Sequence, residues 1–205
     1  EAWRLVQGLD KLPTLVEIMP SIVGVWENYK LYLSRSEDLS RWHRNVPSYF
    51  TFDDHELVND IWGSGEAGKR HRRTVFRDVG TQAWFDYLGW ANPMTHDHPI
   101  HYGIGSMKAG SDLLIDMSAD FTEVPIAEMT NLHVHWGTPQ AGVNDIKYDD
   151  DAGHPNSYVY DIKEVVDKHT LRLHMPAKVD DTVSYSIGRR SYGSFRVSNC
   201  EFFLI

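Results

Sequence analysis

The hydrophobic period changes once along this 205-residue chain, and that change limits the folds open to it. Up to Leu88 the apolar residues recur at helical spacing, whereas after about Asp120 they fall into short β-prone runs. In residues 21–45, Ile22, Val23, Trp26, Tyr29, Leu31 and Leu33 follow a helical repeat that Ser34 to Asp38 interrupt, and Pro20 and Pro47 bracket the segment. Val75, Phe76, Val79, Ala83, Trp84, Tyr87 and Leu88 predict an amphipathic helix within 69–88, stopped by Gly89. The stretch from Ala91 to Gly110, rich in Gly, Pro, His and Met, reads as a loop. Beyond it, YVYDIKEVVDKHTLRLHMPA reads as two strands joined near Asp167 to His169, and TVSYSIG and SFRVSNCEFFLI add two more. The expectation is an α+β fold in which a small antiparallel barrel or sandwich occupies residues 130–190.

Composition narrows the function classes. A chain that is 41% hydrophobic and 12% aromatic can bury a real core. A net charge of −9 argues against a dedicated nucleic-acid binder, which needs a basic face for phosphate, and suits a protein that holds cations. No run of about 18 apolar residues appears, and the N-terminus EAWRLVQGLDKLP lacks signal-peptide architecture. The single cysteine, Cys200, sits in an apolar run and is expected to be a small buried side chain rather than a nucleophile. The chain opens inside a helical pattern and stops at FFLI, so it reads as a fragment of a longer protein.

The chemistry concentrates in YFTFDDHE, residues 49–56, where a β-prone run from Ser48 to Phe52 meets three carboxylates around one histidine. A strand ending in Asp53, Asp54, His55 and Glu56 offers oxygen and nitrogen donors that suit hard or borderline metals, and a cation would offset their mutual repulsion. The other reading is a helix N-terminus, with Asp53 or Asp54 as N-cap for a helix through ELVNDIW and the remaining acid near the positive end of its dipole. The two are compatible.

With its flanks, NVPSYFTFDDHELVNDIWG followed by RRTVFRDVGTQAWFDYLG closely resembles the alkaline phosphatase D type of calcineurin-like metallophosphoesterases. The resemblance extends more weakly through WRLVQGLDKLPTLVEIMPSIVGVWENYKLYLSRSEDLSRWHRN, and NLHVHWGTPQAGVND through FRVSNCEFFLI is similar to an insert and returning core strand of one branch of that family. It implies helices flanking part of a metallophosphoesterase β-sandwich core, with a small antiparallel β-barrel-like insert. The layout is then a partial core over 1–120, a β-rich insert over 121–190 and a returning core strand over 191–205. It also implies hydrolysis of phosphate esters at a dinuclear centre of divalent or trivalent ions, whether Fe, Ca, Zn or Mn, and a periplasmic or extracellular location. By the same resemblance Asp54 would bind one ion, His55 would contact the phosphoryl group and protonate the leaving oxygen, and Asp53 and Glu56 would fix the ring and the loop. The family's upstream Asp-x-His block is missing from residues 1–52, and its late Gly-His-x-His motif does not follow Cys200. Most of the metal ligands are therefore expected from outside this chain.

Other histidines compete for a role. His96, His98 and His101 stand within six residues, a ligand-like density, and His133 and His135 would share one face of a strand. For both groups ordinary local hydrogen bonding is the alternative to metal or substrate contact. Gly63, Gly65 and Gly68 spell G-x-G-x-x-G, yet the preceding strand ends about ten residues too early for a dinucleotide loop, so a connector is expected. The basic run at 69–73 reads as a solvated helix face, with phosphate attraction as the alternative. At the level of function, a phosphoesterase segment stands against a non-catalytic relative whose β-rich half is a binding module.

Overall fold

A computed structural model describes residues 22–34, 36–53, 63–70, 72–92, 98–135 and 155–204. Among the described residues three helices occupy the N-terminal part: α1 (Ile22–Ser34), α2 (Glu37–Asn45) and α3 (Arg72–Tyr87). The polar interruption seen in the sequence is a true break, because Ser36 accepts a hydrogen bond from the Leu39 amide and caps α2. Glu37 and Asp38 in its first turn and His43 and Arg44 in its last complement the helix dipole. α1 packs on α3 through Val25, Tyr29, Val79, Ala83, Trp84 and Leu88, with Phe50 and Phe52 against the same cluster. Burying each large apolar side chain of this kind contributes roughly 1.5–3 kcal/mol. Gly89 follows α3 at a place where a Cβ would stand 2.6 Å from the Trp84 ring, so the helix stop also makes room for the core tryptophan.

Nine strands follow among the described residues: β1 (His101–Met107), β2 (Leu113–Ile115), β3 (Leu132–Val134), β4 (Val159–Tyr160), β5 (Ile162–Asp167), β6 (Thr170–Leu173), β7 (Asp181–Ile187), β8 (Gly193–Val197) and β9 (Cys200–Leu204). Seven of them form one antiparallel sheet in the order β4-β3-β7-β1-β2-β6-β5. Its two edge strands, β4 and β5, are separated in the chain by Asp161 alone. Opposite edges of one sheet are thereby drawn together, and the sheet curls into a nearly closed barrel. Val183, Tyr185 and Ile187 of β7 alternate inward to meet Leu132, Val134, Met107, Leu114, Leu171, Leu173 and Phe121. The intervening Ser184 and Ser186, with His133 of β3, are also buried. α3 covers His133 and Ser186 on the outer face, where Asp78 bonds both.

The α+β class and the antiparallel barrel agree with the sequence reading, while three local expectations need correction. Ala91 to Gly110 is not all loop: β1 lies within it, pairing with β7 from His101↔Ile187 to Met107↔Asp181. Its alternation is hidden because Gly103 occupies an inward position over which the Tyr185 hydroxyl and the Asp116 carboxylate close. Residues 191–205 contain two strands rather than one, paired with each other as a separate hairpin that turns at Ser198 (φ 55°). Cys200 is exposed rather than buried, because it pairs with Val197 beside that turn. Residues 48–52 carry no regular secondary structure and join no ladder among the described residues.

Candidate functional site

The approach to DDHE is held by side chains in place of a neighbouring strand. The Asn92 carboxamide, just beyond α3, accepts from the Phe50 amide at 2.9 Å and donates to the Phe50 carbonyl at 2.6 Å, as a paired strand would. Phe52 meets Trp84 edge to face at 6.1 Å, and Tyr49 turns the other way onto Phe195 of β8 at 4.3 Å. The segment delivers Asp53 to an exposed position. Asp54, His55 and Glu56, and with them the choice between helix cap and metal corner, lie outside the described residues, as does His96.

The two described histidines of the 96–101 group have separate surroundings. His98 is buried, and its Nδ1 lies 3.5 Å from the carbonyl of Pro99. His101 stands inside the barrel mouth beside a pocket of about 320 Å³ lined also by Gly103, Asp116 and Ser118. There the Tyr185 hydroxyl donates to Asp116 Oδ2 at 2.8 Å, and the Ser118 amide donates to Oδ1 at 2.8 Å. Since the hydroxyl hydrogen is committed to Asp116, His101 Nε2 is the donor in its 3.2 Å contact with Tyr185. Burial lowers the His101 pKa, with the Asp116 charge opposing, while burial and the Asp116 hydrogen bond push the Tyr185 phenol up. Among the described residues no three of His, Cys, Asp and Glu stand close enough to hold a metal ion.

A third constellation, at the α3–barrel junction, joins residues far apart in sequence. Asp78 Oδ2 accepts from His133 Nδ1 at 2.6 Å and from the Ser186 hydroxyl at 2.6 Å, and the Arg77 guanidinium stands 4.0 Å from Oδ1. The far nitrogen of His133 lies 2.8 Å from the Ser64 carbonyl. Both ring nitrogens of His133 thus face oxygen acceptors, which fixes the ring in place. Ser186 has given its hydrogen to Asp78, so its 2.8 Å contact with His135 Nε2 runs from the imidazole to the hydroxyl. Burial pushes the Asp78 carboxyl up, but His133, Ser186 and Arg77 together hold it below the ordinary carboxylate range. Burial lowers His135 to about 3, with the Asp78 charge opposing. Ser, His and Asp meet here as in a hydrolase, yet Ser186 is fully buried and points at the carboxylate, so the network is structural. The shared strand face of His133 and His135 was legible in the sequence, whereas Asp78 carried no signal beyond a charge inside an amphipathic helix.

The Gly63-Gly65-Gly68 stretch is a connector, each glycine at positive φ (57°, 77° and 83°). Arg70, within the basic run, lies over the Tyr158 ring at 5.4 Å. No helix among the described residues is long and apolar enough to cross a membrane. Residues 26–110 match the family model of PhoD-like phosphatase, a span that includes α3, the whole DDHE block and β1. No curated protein and no solved structure matches the chain.

Proposed function

Taking residues 26–110 as a PhoD-like phosphatase segment, we propose that the chain contributes the DDHE corner of a phosphate-ester hydrolase. The family match across that block is the observation that carries the reading. The packing of the half-buried Phe50 and Phe52 against the helical core supports it, since this anchors the approach to the motif. In this reading the Pro47–Asp53 segment and the β8–β9 hairpin belong to a metallophosphoesterase sandwich, an assignment supported by the Tyr49–Phe195 contact.

Asp54 would hold one ion of a dinuclear pair whose other ligands come from elsewhere, and Asp53 and Glu56 would orient the loop. When bound, such ions neutralise phosphate charge and lower the pKa of a coordinated water. His55 would touch the phosphoryl group and give a proton to the leaving oxygen, work suited to a side chain that titrates near neutrality.

In the complete protein His55→Ala is expected to cut p-nitrophenyl phosphate hydrolysis by about a hundredfold or more. Near-wild-type turnover would remove His55 from the reaction. Asp54→Ala is expected to lower bound metal, measured by elemental analysis of the purified protein, and an unchanged stoichiometry excludes it as an essential ligand. A second reading, in which the β-rich half is a binding module, is favoured by the barrel's self-contained core and mouth pocket. Loss of hydrolysis only in the His55 and Asp54 variants, and not on substitution in the barrel mouth, separates the two.

A further inference from the structure

The loop that follows the DDHE block is tied to the barrel at several points. His133 Nε2 donates to the Ser64 carbonyl at 2.8 Å, and Asn131 Nδ2 donates to the Gly65 carbonyl at 2.9 Å. The Gly68 amide donates to the Val159 carbonyl at 2.8 Å, and the Val159 amide returns a bond to the Lys69 carbonyl at 2.9 Å. The positive-φ glycines let this backbone turn its carbonyls and amides toward β3 and β4. His133 is itself fixed by Asp78 of α3. Upstream of the block, the Phe50 backbone is bonded to Asn92, just past the other end of α3. Both anchors of the segment that carries DDHE therefore trace back to α3, one through the barrel and one through the helical cluster.

From this we infer that Asn131 and His133 are positioning residues: the barrel sets the downstream end of the DDHE segment and so its alignment for phosphate-ester hydrolysis. The inference rests on the phosphoesterase reading for its consequence, though not for the clamp itself. In an active site misplacement of about 1 Å can cost a hundredfold in rate, so a change in where residues 64 and 65 are held is expected to register in turnover.

The test compares Asn131→Ala and Asn131→Asp with the wild type in the complete protein. Aspartate keeps the shape of asparagine but has no N–H to donate, so a packing role would survive it and a hydrogen-bonding clamp would not. In both variants, amide exchange of residues 64–70 is expected to accelerate while that of the β1–β7 ladder is unchanged, and kcat for p-nitrophenyl phosphate is expected to fall about tenfold or more with little change in KM. His133→Gln should loosen the same amides, and if it fails to fold the Asn131 pair still decides the matter. Wild-type exchange at 64–70 in both Asn131 variants overturns the clamp. Faster exchange with unchanged kcat overturns the positioning role. If the wild-type protein hydrolyses no phosphate ester, the phosphoesterase reading falls, and the exchange data alone still judge the clamp.

Discussion

At the residue scale, the α3–barrel junction shows how burial divides two neighbouring histidines. His133 has an acceptor at each ring nitrogen, whereas His135, two residues on, meets the Ser186 oxygen and is kept neutral by burial. Its pKa falls from 6.5 to about 3 on folding. Between those values the unfolded chain binds a proton at His135 that the folded chain does not, so stability rises with pH across this window and is lost as pH falls. Asp78, also depressed, contributes stability that is present above its ordinary value of 3.8 and is lost lower still, as pH falls through its folded value. Replacing His135 by Asn is expected to flatten the decline in unfolding free energy between pH 6.5 and 3, by up to about 1.4 kcal/mol per pH unit. Denaturant titrations at stepped pH measure that slope, and an unaltered slope assigns the acid sensitivity to another group. Gly188 belongs to the same junction: a Cβ there would stand 2.6 Å from Asp78 Oδ1, so a glycine is what admits the carboxylate to the barrel wall.

At the element scale, residues 47–53 read as a strand by composition but take a side chain for their partner. Asn92 is buried and satisfies both Phe50 backbone groups. Asn92→Ala leaves that donor and acceptor without it and is expected to cost about 1–3 kcal/mol, with faster amide exchange at Phe50 than at Val183 of β7. Equal exchange at Phe50 in variant and wild type would show that the carboxamide does not hold the segment. β1 makes the complementary point. Its HYGIGSM sequence lacks the alternation that marks a strand, because Gly103 yields its inward space to Tyr185 and Asp116, and the strand is specified by backbone pairing to β7 and β2. The β8–β9 hairpin was hidden for the opposite reason. Its run of apolar residues reads as one strand unless the turn at Ser198 is recognised.

At the scale of the whole molecule, a helical cluster and a barrel with its own core are joined along α3, which packs its apolar residues on α1 and reaches the barrel through Asp78. The sequence by itself determined the α+β class, α1 and its break before α2, α3 and its end, the β5–β6 pair and β7, because each rests on hydrophobic period and capping chemistry within one short stretch. It also exposed the DDHE block and the family resemblance that residues 26–110 match. Only the tertiary structure decided that the barrel draws in β1, that Asp78, His133 and Ser186 form one buried network, and that the loop after DDHE is clamped by Asn131, His133 and Val159. The β1–β7 ladder and the bonds of that network and clamp join positions 55 or more residues apart, as between Asp78 and His133. A local pattern records whether a side chain is apolar and at what spacing, but it does not record which distant carboxylate or carbonyl will complete its hydrogen bonds.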